Sequence, residues 1–188
     1  MVKDTLQVAS KVSRRANLMQ LDEGAIESAK RSLNDGAVTP SFSEHNENII
    51  GLLNDALATE LVCVLRYKRH YHTAAGVSSA AIKEEFLTHA NEELGHSDRL
   101  AERIVQLGGS PDFAPDSLLA RSHADYDDSD DLHSMIKSNL IAERVAVETY
   151  RQMIALIGDK DPTTRRMLEE ILADEEDHAD ELSDWLVD

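Results

Sequence analysis

The chain has 188 residues, 41% of them hydrophobic, and a formal net charge of −17. That length holds one domain around a single core, and the apolar share excludes an intrinsically disordered chain. A single cysteine, Cys63, excludes an intrachain disulfide, a zinc finger and a cysteine redox pair, while the acidity disfavours nucleic acid and favours cations as partners. No apolar run approaches the roughly 18 residues of a membrane span, and no signal-peptide core stands at the N-terminus, so the expected compartment is the cytoplasm, with no membrane partner.

Residues 1–43 read as an N-terminal extension. They carry six basic and five acidic side chains, so the net of −18 falls on residues 44–188. A short helix is expected over 23–33, followed by a loop over 34–43 that contains Gly36 and Pro40. Four long helical segments come next, over 44–73, 79–107, 130–157 and 161–186. Pro162 stands at a first-turn position, where a helix tolerates it. Short links join the first segment to the second and the third to the fourth, which predicts two antiparallel hairpins. The link over 110–129 is about twenty residues, long enough to run the length of a bundle, with a short helix expected over 115–124. The fold expected for 44–188 is therefore an all-α antiparallel four-helix bundle with a long second-to-third crossover.

The inward stripe of each helix carries the chemistry. The stripes read Leu53, Leu57, Glu60, Val64, Tyr67, Tyr71; then Ile82, Phe86, His89, Glu93, His96, Leu100; then Ile136, Leu140, Glu143, Val147, Tyr150, Ile154; and finally Leu168, Ile171, Glu175, His178, Leu182, Trp185. Each is apolar at its ends and ionisable in its middle, and none holds a Lys or Arg. A buried, unpaired carboxylate costs several kcal/mol or takes up a proton. Four at one level carry four negative charges, which two divalent cations would balance, with each histidine neutral and coordinating through one ring nitrogen. Glu93 and His96 lie three apart, on adjacent turns of one face, and Glu175 and His178 repeat that pair. Glu60 and Glu143 supply a carboxylate from each remaining helix.

The spacing repeats between the halves. Glu60 to Glu93 is 33 positions and Glu143 to Glu175 is 32, and Tyr67 and Tyr150 each follow a first glutamate by seven. Two related hairpins around a pseudo-twofold axis would hold one metal each. A lone E-x-x-H occurs often on surface helices; two of them, each on a core stripe with a matched upstream glutamate, make a specific signal. The competing reading is a purely structural bundle with protonated glutamates.

The stretches Glu60 to Tyr67, Glu93-Leu94-Gly95-His96 and Asp174-Glu175-Glu176-Asp177-His178 resemble the ferritin-like di-iron carboxylate proteins, the bacterioferritins most, over residues 44–188. That ligand set is a known pattern of helix bundles. The resemblance implies that Glu60, Glu93, His96, Glu143, Glu175 and His178 are the ligands of a ferroxidase centre, with Glu93 and Glu175 bridging two irons. It also implies that Tyr67 stands beside the centre and can supply an electron during oxygen reduction. The reaction implied is oxidation of Fe(II) by O2 or H2O2 for iron storage or detoxification, inside a protein cage. Manganese suits the same ligand types.

Two departures shape the expectation. Leu94 replaces the methionine that ligates haem in bacterioferritins, which argues against haem. The sequence ends at Asp188, just past the fourth helix, without the fifth helix of the 24-subunit cages. A homo-oligomer of twelve subunits, as in Dps-like proteins with a bacterioferritin-type centre, is favoured over one of twenty-four. Other readings are a rubrerythrin-like peroxidase, a manganese catalase, or a DNA-protecting Dps-like protein whose basic arm (Lys3, Lys11, Arg14, Arg15) touches phosphates. The arm's modest charge and the acidic body count against DNA. His89 is expected to be a packed, hydrogen-bonded histidine rather than an extra ligand, Cys63 to lie off the stripe and be inert, and Glu92 and Glu176 to be solvated acids rather than an iron path.

Overall fold

A computed structural model describes residues 20–42, 45–77 and 79–187. The basic arm at Lys3–Arg15 lies outside them. The described residues form six α-helices in chain order: α1 (Glu23–Ser28), α2 (Asn46–Thr73), α3 (Ser79–Gln106), α4 (Leu118–Arg121), α5 (Leu132–Ile157) and α6 (Pro162–Asp184). No strand occurs among the described residues. The four long helices start and stop within a few residues of the positions expected from the sequence.

Local chemistry sets several of those ends. Asp131 caps α5 by accepting the Ser134 amide at 2.9 Å, and Asp161 caps α6 by accepting the Thr164 amide at 2.9 Å, just before Pro162. Such caps satisfy amides that have no partner within the helix. Gly158 ends α5 at φ 51°, a left-handed conformation that glycine adopts without a Cβ penalty.

Cross-helix contacts fix the directions. Asn46 meets the Leu107 carbonyl and Lys68 meets Asn91, so α2 and α3 are antiparallel. Arg66 meets Asn139 and Tyr150 meets Glu60, so α5 runs against α2. Glu92 meets His178 and Arg103 meets Thr164, so α6 runs against α3.

The crossover explains how α5 comes to start at the far end. It follows α2 for most of that helix's length: Asp112 binds Asn54, His123 binds Thr59, the Asp125 carbonyl binds Arg66 and Asp127 meets His70. The short helix expected in it is one turn, Leu118–Arg121. The helix expected over 23–33 ends at Ser28, and a 3₁₀ turn follows at Leu33–Asp35. No residue of α1 is buried, so no core face rewards its extension.

The core has two apolar clusters with an ionisable layer between them. One holds Leu53, Leu57, Leu100, Ile104, Ile157 and Leu168. The other holds Cys63, Ile82, Phe86, Met135 and Leu182. Each fully buried Leu, Ile or Phe contributes roughly 1.5–3 kcal/mol.

Three sequence expectations need correction. Trp185, assigned to the core, is 42% exposed, because α6 ends at Asp184. Cys63, assigned off the stripe, is buried in the core while Val64 is only half-buried. A helix turns once per 3.6 residues and drifts from a strict 4-3 stripe. Finally, an 18-residue window of α2 reaches a mean hydropathy of 1.5, apolar enough for a membrane span. In the bundle α2 is a core helix that buries Glu60, Arg66 and His70.

Candidate metal centre

Glu60 from α2, Glu93 and His96 from α3, Glu143 from α5, and Glu175 and His178 from α6 all converge in the layer between the two apolar clusters. None is more than 4% exposed. They form two groups of four, Glu60–Glu93–His96–Glu175 and Glu93–Glu143–Glu175–His178. Within each group, one donor atom from every residue lies within 4.8 Å of the others. Glu93 and Glu175 belong to both groups, so the geometry has two adjoining pockets with two shared carboxylates.

The imidazoles present Nδ1 to these pockets. His96 Nδ1 lies 3.5 Å from Glu60, 3.3 Å from Glu93 and 3.1 Å from Glu175. His178 Nδ1 lies 3.8 Å from Glu93, 3.9 Å from Glu143 and 4.0 Å from Glu175. The opposite nitrogens are held from outside: His96 Nε2 meets Asp174 at 3.1 Å and His178 Nε2 meets Glu92 at 2.9 Å. A carboxylate there fixes the tautomer and aims the other nitrogen inward. Tyr67 donates to Glu143 Oε1 and Tyr150 donates to Glu60 Oε1, each hydroxyl reaching the first glutamate of the other half.

Sequence reasoning missed Asp174 and gave Glu92 a different role. The signal was present: each stands one residue before a shared glutamate and serves the histidine of the opposite helix. Glu176, named beside Glu92, instead lies on the exposed face of α6. His89 is fully buried, with Nδ1 3.1 Å from the Tyr67 hydroxyl and Nε2 3.0 Å from Glu181, as the packed reading expected. Arg66, also fully buried, bonds Asn139, the Asp125 carbonyl and Cys63 and ties the crossover to α2.

What remains open inside the pockets tests the fit of a metal pair. Glu60 Oε2, Glu93 Oε1, Glu143 Oε2, both Glu175 oxygens and His178 Nδ1 are buried without a hydrogen-bond partner. Buried polar atoms are normally paired, and these six all face the same two pockets. Oxygen and imidazole nitrogen donors suit iron or manganese. Burial pushes the Cys63 thiol up to about 12, so no thiolate joins them.

The protons follow the same geometry. Burial and the surrounding carboxylates, Glu175 and Glu60 foremost, hold Glu93 well above the ordinary carboxylate range; burial, Glu60 and Glu143 do the same to Glu175. Burial also opposes charge on Glu143, but His178 and Glu175 outweigh it and bring its pKa to about 2. Glu60 is lowered against burial by Glu93 and His96. Burial disfavours a charged His96, yet Glu60 and Glu93 raise its pKa to about 11; His178 is also raised against burial, by Glu143. Without metal the layer is thus neutral, with protons on Glu93, Glu175 and both histidines. Two divalent cations would take the place of those protons.

The chain matches the family described as ferritin-like domain over residues 50–188. It is 30% identical over 162 residues to the nutrient stress-induced DNA-binding protein of a Synechococcus strain, covering 78% of this chain and 91% of that one. It is 26% identical to the bacterioferritin of Mycobacterium avium, with coverages of 73% and 83%. Among solved structures, the bacterioferritin-related protein of Bacteroides fragilis, described as a dodecameric thioferritin, superposes with a TM-score of 0.72 at 31% identity, covering 75% of this chain and 85% of that one.

Proposed function

This chain belongs to the ferritin-like domain family, and on that premise we propose that it is a di-iron ferroxidase that oxidises Fe(II) with O2 or H2O2 to store or detoxify iron. The observation that carries this reading is the pair of four-residue pockets sharing Glu93 and Glu175, whose buried oxygens lack partners. In it, two irons would be held by Glu60, Glu93, His96, Glu143, Glu175 and His178, with Glu93 and Glu175 shared between them and the imidazoles offering Nδ1.

Bound Fe(II) supplies one electron per ion, so the pair matches the two-electron reduction of H2O2 to water. The protein's own part is positional. Asp174 and Glu92 hold the imidazoles, while Tyr150 and Tyr67 each occupy one oxygen of a terminal glutamate and leave the other facing a pocket. Burial and Glu143 raise the Tyr67 phenol well above its ordinary range, so it keeps its proton on the Glu143 side unless it gives up an electron. By the resemblance to bacterioferritins, Tyr67 is the proposed source of a further electron when the oxidant is O2. Carboxylate-rich coordination stabilises Fe(III) over Fe(II), which drives the oxidation.

The proposal extends to assembly and setting. Twelve copies of the bundle, residues 44–188, form a shell in the cytoplasm, with residues 1–43 as an appended segment; the name of the Bacteroides fragilis protein, a dodecameric thioferritin, supports the number twelve. Anaerobic Fe(II) loading followed by O2 or H2O2, with absorbance and particle size on one preparation, tests this. Rapid oxidation and a hollow particle that accumulates iron support storage. Iron bound without core growth, in a small oligomer, moves the function to rubrerythrin-like peroxidase or manganese catalase chemistry. The name of the Synechococcus relative favours a second reading, DNA protection. Retardation of DNA at low salt that is lost on deleting residues 1–20 would support it, and no retardation would dismiss it.

A further inference from the structure

Beside the paired centre, where His89 also lies within 4.8 Å of donor atoms of Glu143 and His178, a further set of metal-ligating side chains meets between α3 and α6. Glu85 and His89 lie one turn apart on α3, and Glu181 reaches them from α6. Glu85 Oε1 is 3.6 Å and Glu181 Oε2 is 3.0 Å from His89 Nε2, and one donor atom from each residue lies within 4.8 Å of the other two. The ring of His89 is fully buried and stacked on that of His178, with centroids 4.1 Å apart. Its Nε2 faces outward to carboxylates whose side chains are 26% and 55% exposed.

Hydrogen-bond accounting shows what this cluster lacks. Tyr67 has one hydroxyl proton and gives it to Glu143, so its oxygen can only accept from His89 Nδ1, 3.1 Å away. That places the imidazole proton on Nδ1. Nε2 of a neutral ring then points a lone pair at two carboxyl groups, of which Glu85 is held above the ordinary carboxylate range by burial and by Glu181, with which it shares a hydrogen bond. Without a cation these groups meet only by sharing a proton, and a metal ion between them would displace it. Two carboxylates and one imidazole are a donor set for a divalent first-row metal ion, and the exposed carboxylates leave further positions for water and a route for exchange.

We infer that Glu85, His89 and Glu181 form a third site for a divalent cation such as Fe(II), Mn(II) or Co(II), open to solvent and distinct from the paired centre. This site rests on the ferroxidase reading only for its use, as a place where Fe(II) waits beside the Glu143–His178 pocket. Its existence stands on the three side chains themselves. Through His89 Nδ1 and Tyr67 it is tied to Glu143, so a cation there also locks the hydrogen bond that aims Tyr67 at the centre.

Co(II), which is not oxidised by air under these conditions, is the probe. Crystals of the full chain soaked in Co(II) are examined by anomalous diffraction, for the native protein and for Glu85→Gln with Glu181→Gln. Both substitutions are on solvent-accessible side chains, so the bundle folds. The inference expects anomalous density at about 2.1 Å from His89 Nε2 in the native protein and its loss in the double variant, with density between Glu93 and Glu175 unchanged in both. Native crystals that fill the paired centre but show nothing at His89 overturn it, as does density there that survives the double variant. Absent density between Glu93 and Glu175 would instead strike the paired-centre reading and leave this site standing or falling by its own peak.

Discussion

Arg103 and Asp161, where α3 meets the start of α6, are nearly as buried as Glu93 and Glu175 in the middle of the bundle, yet every charged atom there has a partner. The Arg103 guanidinium binds both Asp161 oxygens at 3.0 and 2.9 Å, Thr164 at 2.8 Å and Gln106 at 3.0 Å. Asp161 also accepts the Thr164 amide. In the middle layer, both Glu175 oxygens and one oxygen each of Glu60, Glu93 and Glu143 have no hydrogen-bond partner. The first arrangement is closed and serves the fold. The second is open and unfavourable until something positive enters it, which is the mark of a site kept for a ligand.

Substitutions should separate the two regions. Arg103→Ala leaves Asp161 charged and buried, and should cost about 3–5 kcal/mol in denaturant unfolding while iron binding per chain stays the same. The next effect belongs to the centre. Native protein should gain roughly 3–4 kcal/mol from metal at a hundred to a thousand times its dissociation constant. Glu93→Gln should abolish that gain in a thermal melt while leaving the metal-free protein as stable as the native one or more so. A metal-free Glu93→Gln protein that melts far below native would break the contrast.

Smaller effects refine it. Asp174→Asn and Glu92→Gln should each weaken metal affinity about 10–100-fold by freeing His96 or His178, measured by competition with a chelator, with folding unaffected. Proton linkage sharpens the comparison further. Metal uptake at the centre should release protons from its glutamates and histidines, so affinity falls as the pH falls; proton release in weakly buffered solution measures it. The Asp161 clamp has a different signature. Burial opposes its charge, but Thr164 and Arg103 hold its pKa below the ordinary value. A folded-state pKa below the unfolded one gives stability that is present above the unfolded value and lost as the pH falls through the folded one. Acid unfolding of Asp161→Asn should therefore show a shallower pH dependence than native.

Much of this was legible in the chain because helix spacing is a local property. The glutamates at 60, 93, 143 and 175 and the two histidines announced themselves by standing in the middle of apolar stripes, and all six are buried together. The partners that hold them were not legible in the same way. Asp174 lies off the inward stripe of α6 and acquires meaning only from the register between α3 and α6, which no single helix encodes. Arg66 sits one residue before Tyr67 and reads as a surface arginine until the crossover carbonyl of Asp125 and the side chain of Asn139 are placed against it. Trp185 was assigned inward by extending the stripe of α6 past its end at Asp184, where the helical register no longer aims it at the core.

The central claim is that Glu93 and Glu175 are shared by two metal ions. Anaerobic Fe(II) binding to the native chain and to the chain carrying both Glu93→Gln and Glu175→Gln tests it most directly. Loss of two Fe(II) per chain, in a variant whose helix content and melting are native, is the result the account predicts. An unchanged Fe(II) count in the folded double variant would contradict it.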